Sequence, residues 1–315
     1  MAREAYAQQV RLLVGCLPSI AKFDVFALKG GTAINLFYRD MPRLSVDIDL
    51  TYLPVQDRAT SLGAIDSTLD AICEDILKVM PDAKTQRIAG GSDNDTRILV
   101  RNRNATIKIE TSPVARGTVH APKLMPVSDV VVDEFGFAEM QVLAFEDLYG
   151  GKLHATVDRQ HPRDLYDVKL LYENEGLTTD LFRTFLVYVA SSSRPPHELL
   201  RPSEQALDER FVAEFDGMTI DAVTIDELRD VRSRLFADLL SSLDDEAMRF
   251  LLTLHDCAPD FDAIGLPQAA NLPAVRWKLQ NLEKLRRNNE AKHAELRKLI
   301  EDLGKKTAPS PRSGR

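Results

Sequence analysis

Lys29-Gly30-Gly31-Thr32-Ala33-Ile34-Asn35-Leu36-Phe37-Tyr38, followed after a short polar link by Arg43-Leu44-Ser45-Val46-Asp47-Ile48-Asp49-Leu50, is the stretch that decides the fold. It reads as loop, helix, turn and strand. Two adjacent glycines permit a tight, positive-φ backbone that can approach a phosphate closely. A helix starting at Thr32 aims unpaired N–H groups and a partial positive charge at the same spot. From Val46 to Leu50 acidic and aliphatic residues alternate, so a strand sets Asp47 and Asp49 on one face and the aliphatics on the other. Two neighbouring carboxylates repel unless a cation sits between them. A hard divalent ion such as Mg²⁺, shared by carboxylates and substrate phosphates, is the natural occupant. The stretch therefore points to a metal-dependent nucleotide site.

Working outward, Ala105 to Thr111 is a second alternating strand, with Ile107 and Ile109 facing one way and Thr106, Lys108 and Glu110 the other. Glu110 is a candidate third carboxylate on that face; an exposed glutamate paired with Lys108 or Arg103 fits the same pattern. Two helices follow, Phe145 to Asp158 and Arg163 to Glu173, broken by Gln160-His161-Pro162. The first carries Lys152, an ammonium suited to neutralising triphosphate charge. On the second, Asp164 and Asp167 lie three apart on one face. Asp167 is the preferred catalytic member, with Asp164 capping the helix or pairing with Arg163; ordinary surface ion pairs are the alternative.

These residues carry a family resemblance. Gly30-Gly31-Thr32-Ala33, then Arg43-x-Ser45-x-Asp47-Ile48-Asp49-Leu50, resemble the AbiEii/AbiGii family of nucleotidyltransferase-like toxins, of the polymerase-β-type superfamily. Lys108-Ile109-Glu110, Lys152 and Arg163-Asp164-x-x-Asp167 resemble its later motifs, and the likeness extends to about residue 172. It implies an α/β fold: a polymerase-β-like nucleotidyltransferase lobe, a mixed sheet with flanking helices, plus a mostly α-helical second lobe. It implies transfer of a nucleoside monophosphate from a nucleoside triphosphate to an acceptor hydroxyl, with release of pyrophosphate. The implied roles place Asp47, Asp49 and Glu110 on Mg²⁺ and Gly30, Gly31, Thr32, Ser45, Lys152 and Asp164 on the nucleotide. The catalytic set is then Asp47, Asp49, Lys152 and Asp167. Biologically it implies a type IV toxin with tRNA as acceptor and a separately encoded antitoxin. Nucleotide addition to a protein, or a non-catalytic nucleotide- or RNA-binding module, are the rival readings.

Composition sets bounds rather than chemistry. Asp and Glu make up 48 of 315 residues, so triplets such as Asp93-Asn94-Asp95 and Glu173-Asn174-Glu175 arise by chance. What distinguishes Asp47-Ile48-Asp49 is the helix before it and the aliphatics around it. Hydrophobic content of 44% and charged content of 28% suit an ordinary globular protein. Cys16, Cys73 and Cys257 are too scattered for a metal site and suit buried thiols in a reducing cytoplasm. No run approaches a membrane span. Leu13-Val14-Gly15-Cys16 mimics a lipoprotein cleavage site, but Gln8, Gln9 and Arg11 break the apolar region a signal peptide needs. An amphipathic first helix, with Tyr6, Val10, Leu13, Val14 and Leu17 inward, accounts for it instead.

The expected organisation is a nucleotidyltransferase lobe at 1–143 and a helical lobe at 144–270, with a long basic amphipathic helix at 271–303 and a disordered tail at 304–315. Strands are expected at 84–89, 96–100, 127–132 and 138–143, and helices at about 179–190, 203–215, 225–241 and 244–256. The net charge of −8 is unevenly spread: about −12 lies in 171–270 and about +7 in 271–315. The basic final helix is more suited to packing along its own protein than to reading nucleic acid, although its charge also suits an RNA backbone.

Overall fold

Alternation at Asp47 to Leu50 does produce a strand, and that strand is central to the sheet. The computed structural model describes residues 2–88 and 96–305; Asp93-Asn94-Asp95 and most of the expected tail lie outside the described residues. The strands are β1 (Phe26–Lys29), β2 (Asp47–Tyr52), β3 (Lys84–Ile88), β4 (Arg97–Arg101), β5 (Thr106–Thr111), β6 (Lys123–Pro126) and β7 (Glu139–Val142). Among the described residues they form one mixed sheet in the order β3-β4-β5-β2-β1-β7-β6. β2 runs antiparallel to β1 and parallel to β5.

Helix α1 (Ala2–Ala21) lays Val10, Leu13, Val14 and Leu17 into the core as its spacing demands. After β1 the chain turns at once into a short helix, α2 (Gly30–Ala33), which widens into a π-turn over Ile34–Tyr38. The helix thus begins two residues earlier than Thr32. Helix α3 (Arg58–Val79) starts where the Asp57 carboxylate accepts from the Thr60 N–H at 2.9 Å, and buries Ile65, Leu69, Ile72 and Ile76.

The expected strand at 127–132 is not formed. The chain makes β6 just before it and then α4 (Asp129–Phe135). The valine run favours a strand locally. Yet Val127 and Val131 are buried and Val130 is exposed, which is helical spacing, and Asp129 suits a first helical turn.

Beyond β7 the chain is helical: α5 (Phe145–Arg159), α6 (Pro162–Asn174), α7 (Thr179–Ala190), α8 (Pro196–Leu200), α9 (Asp208–Glu214), α10 (Ile225–Ser241) and α11 (Asp245–His255). Only the second half of the helix expected at 203–215 forms. The long helix expected at 271–303 is two, α12 (Pro273–Asn288) and α13 (Glu290–Glu301). Asn289 takes an extended backbone and its side chain accepts from the Lys292 N–H at 3.0 Å, capping the second helix rather than continuing the first. One apolar core runs from Val10 through the sheet to Leu303, so sheet half and helical half pack on a shared interior. A smaller cluster joins Leu165 and Tyr166 to Leu207, Phe215 and Leu228.

Candidate active site

The sheet supplies an acidic wall. Asp47 and Asp49 share the open face of β2 while Ile48 and Leu50 are fully buried behind it. Parallel pairing sets Glu110 directly beside Asp49 and Lys108 beside Asp47, and antiparallel pairing sets Lys29 on the other flank of Asp49. Lys108 Nζ lies 3.0 Å from Glu110 and 4.0 Å from Asp47, and Arg97 Nε lies 2.9 Å from Glu110. Glu110 is therefore engaged, by Lys108 as one sequence reading had it and by Arg97 rather than Arg103. Burial pushes the Asp49 carboxyl up; Lys29 opposes the shift, and the charges of Glu110 and Asp47 add to it. Glu110 moves the other way: burial raises it, but the bond to Lys108 and the charges of Lys108 and Arg97 outweigh that.

Close approach explains the glycine pair. Gly30 has φ +76°, and a Cβ there would fall 2.7 Å from Asp49 Oδ2. A Cβ on Gly31 would fall 2.5 Å from Arg43 Nη2 and 2.9 Å from Ser45 Oγ. Thr32 does not face the cleft. Its buried hydroxyl donates to the Asp47 carbonyl at 2.5 Å and meets Ser45 Oγ at 3.0 Å. It fixes the start of β2 instead of reaching a phosphate.

The helices supply the opposite wall, built from buried charges. Lys152 Nζ, on α5, donates to Asp164 Oδ1 at 2.8 Å and lies 2.9 Å from Asp167 Oδ2. Arg43 Nε and Nη2 each donate to the Asp167 carboxylate at 2.7 Å, the planar fork that guanidinium and carboxylate favour. Arg159 clasps Asp164 from the solvent side at 2.6 and 3.0 Å. Burial raises both carboxyls, yet the neighbouring cations win: Asp164 is held well below the usual carboxylate range, chiefly by Lys152 and Arg159, and Asp167 is held below it by Arg43 and Lys152. Burial likewise works against the Lys152 proton, and the two carboxylates more than restore it. Arg43, Lys152 and Arg159 face two carboxylates, so this network carries one net positive charge.

A cleft of about 490 Å³ separates the walls. Gly30, Gly31, Ser45, Asp47, Asp49 and Glu110 line one side, and Lys152, Arg159, Arg163 and Asp164 the other. The roles expected of α6 are thereby redistributed. Asp164 accepts from Lys152 and Arg159, not Arg163, and is the member at the cleft surface. Asp167 is fully enclosed and meets the cleft only through Arg43 and Lys152. Lys29, Arg43 and Arg159 also line the cleft and were not assigned roles from the sequence. Arg43 sat within the quoted motif, and Lys29 is a charge ending the buried run Phe26-Ala27-Leu28; those were the available signals.

The donors present fit a hard cation. They are carboxylate oxygens, and Lys108 already places a positive charge between Asp47 and Glu110. Among the described residues no three His, Cys, Asp or Glu side chains converge on a ready metal site. A metal held by Asp47 and Asp49 would thus take further ligands from substrate phosphate and water, as Mg²⁺ does.

An acid pair on a central strand, a glycine-hinged turn beside it and a lysine–aspartate wall across a cleft define a nucleotidyltransferase. Residues 11–281 match the family of the nucleotidyl transferase AbiEii toxin of type IV toxin–antitoxin systems, and the chain belongs to it. The fold is similar to that of MenT4, a nucleotidyltransferase toxin from Mycobacterium tuberculosis H37Rv, with a TM-score of 0.58 and 18% identity over 88% of this chain and 92% of that one. A comparison with curated proteins gives no match.

Proposed function

We propose that this toxin is a Mg²⁺-dependent enzyme that moves a nucleoside monophosphate from a nucleoside triphosphate to the hydroxyl of an RNA acceptor, tRNA in particular, and is countered by a separately encoded antitoxin. One observation carries the reading: Asp47 and Asp49 face a single cleft whose far wall holds Lys152 and Asp164. Asp47 and Asp49 hold the metal, and Glu110 stands beside Asp49 to join them once released from Lys108 and Arg97. When bound, Mg²⁺ supplies charge neutralisation on the phosphates undergoing in-line displacement. Gly30 and Gly31 let the chain approach the triphosphate, with Ser45 at the rim. The net positive wall of Arg43, Lys152 and Arg159 steadies the departing pyrophosphate. Asp164 orients Lys152 at the cleft surface, and Asp167 does so from behind. No helix among the described residues is long and apolar enough to cross a membrane, and a cytoplasmic site of action supplies both nucleotide and RNA.

Incubating the pure protein with each labelled nucleotide, Mg²⁺, and either total RNA or total protein tests this. Label is expected in RNA. Label in protein instead moves the reading to protein nucleotidylation, and label in neither reduces it to a binding module.

A further inference from the structure

Among the described residues, one cation of the cleft stands apart from the others. Arg43, Lys152 and Arg159 are bound into the α6 network, Lys108 pairs with Glu110, and Arg163 lies 4.0 Å from Glu214. The Lys29 ammonium, half-buried, forms no hydrogen bond and has no carboxylate oxygen within 4.0 Å among the described residues.

Strand register explains where that ammonium is. Lys29 ends β1 opposite Asp49, Asp49 lies beside Glu110, and Glu110 lies opposite Arg97. Cross-strand partners project from the same face, so Lys29, Asp49, Glu110 and Arg97 form one row across the open side of the sheet. The outer two are cations and the inner two acids. Arg97 Nε holds its acid at 2.9 Å, whereas Lys29 makes no such bond to Asp49. Its charge is nevertheless felt there: burial raises the Asp49 carboxyl, and Lys29 is the first group to oppose the rise. The same charge reaches Glu110. Both acids line the cleft, and with Lys29 they also line an adjoining polar cavity of about 230 Å³. The ammonium therefore lies among the acids, on the side that substrate enters. Its backbone is fixed, since the Leu28 carbonyl accepts from the Leu143 N–H at 3.0 Å and Gly30 turns at φ +76°.

Resting on the transfer chemistry proposed for the cleft, we infer that Lys29 is a catalytic residue whose ammonium contacts a non-bridging oxygen of the α-phosphate. The outer phosphates face Arg43, Lys152 and Arg159, so a cation beside Asp49 meets the phosphate that lies over the acids. An acceptor oxygen bonds to the α-phosphorus as its bond to pyrophosphate breaks, and the acceptor proton leaves to water. Charge is spread over the non-bridging oxygens during that exchange. A fixed, uncommitted ammonium there favours the transition state over the bound nucleotide. Lys29 itself moves no proton.

The test follows transfer of labelled nucleotide, with Mg²⁺, to total RNA or total protein, whichever the wild type labels. Lys29→Met should lose about a hundredfold in kcat with KM for the nucleotide little changed, and Lys29→Arg should regain about tenfold. Nucleotides with sulfur at a non-bridging α-position supply a measurement that a structural role would not move. One of the two diastereomers should slow the wild type by about tenfold or more and Lys29→Met by less than about threefold, because the contact it disturbs is already gone. Calorimetry should find Mg²⁺ bound to Lys29→Met at least as tightly as to the wild type, since a like charge has left the side of Asp49. Weaker Mg²⁺ binding would place the defect in the acids and overturn the assignment. So would an equal sulfur effect in both proteins, or a Lys29→Met rate within about threefold of the wild type. Lys29→Gln takes the place of the methionine variant if that one melts lower than the wild type. If the wild type labels neither RNA nor protein, the transfer reading itself fails and takes this inference with it.

Discussion

The two walls of the cleft handle charge in opposite ways. Across the cleft, Asp164 and Asp167 of α6 are both enclosed and each is met by directed donors, at 2.6 to 3.0 Å. On β2 and β5 the acids are half-open, Asp49 is pushed up by burial and by its acidic neighbours, and the nearest compensation for Asp47 is a lysine at 4.0 Å. A satisfied buried network holds a shape; an unsatisfied acidic face waits for a cation. The difference teaches that one wall is already internally satisfied while the other keeps room for a cation, although both are built from Asp and Lys.

Substitutions should separate the two. Asp47→Ala should lower nucleotide transfer by about a hundredfold or more, while its unfolding midpoint in urea stays near that of the wild type. A matching loss of stability would erase the distinction between the walls. Lys152→Met removes the ammonium shared by two buried carboxylates, which keep only Arg43 and Arg159, and should cost about 3 kcal/mol of stability, seen by urea denaturation, with activity lost alongside. Mg²⁺ at about a hundred times its dissociation constant should raise stability by about 2.7 kcal/mol in the wild type and by much less in Asp49→Asn, measured by thermal melting at neutral pH.

Acid sharpens the contrast further. Asp164 and Asp167 sit below the unfolded value of 3.8, so their stabilisation is complete above it and is lost as pH falls from there through the folded values. Asp49 is raised, so the folded chain takes up its proton first, and stability rises as pH falls through that raised value. Without Mg²⁺, stability should increase slightly on mild acidification and then fall steeply in strong acid. Asp49→Asn should remove the first change and Asp164→Asn should soften the second, both read from melting curves across pH.

How much of this was legible in the sequence follows from distance along the chain. A period of two placed Asp47 and Asp49 on one face, and the helical pattern expected at about 179–190 and 225–241 forms as α7 and α10. The strand expected at 127–132 failed because its four valines suit a strand until the burial of Val127 and Val131 overrides them. The break at Asn289 falls where the apolar stripe lapses between Leu285 and Leu296, and the pair Asn288-Asn289 was the available signal. Thr32 looked like a phosphate ligand because hydroxyl chemistry is visible in sequence and side-chain direction is not. The link from Arg43 to Asp167 spans 124 residues, and no local pattern announces such a pair.

The Arg43–Asp167 fork has a mechanical meaning. It rivets the segment leading into β2 to α6, so the entrance cannot gape without pulling two ionised groups apart in a dry interior. Such a mouth keeps a fixed gauge, admitting substrates by fit rather than by clamping down on them.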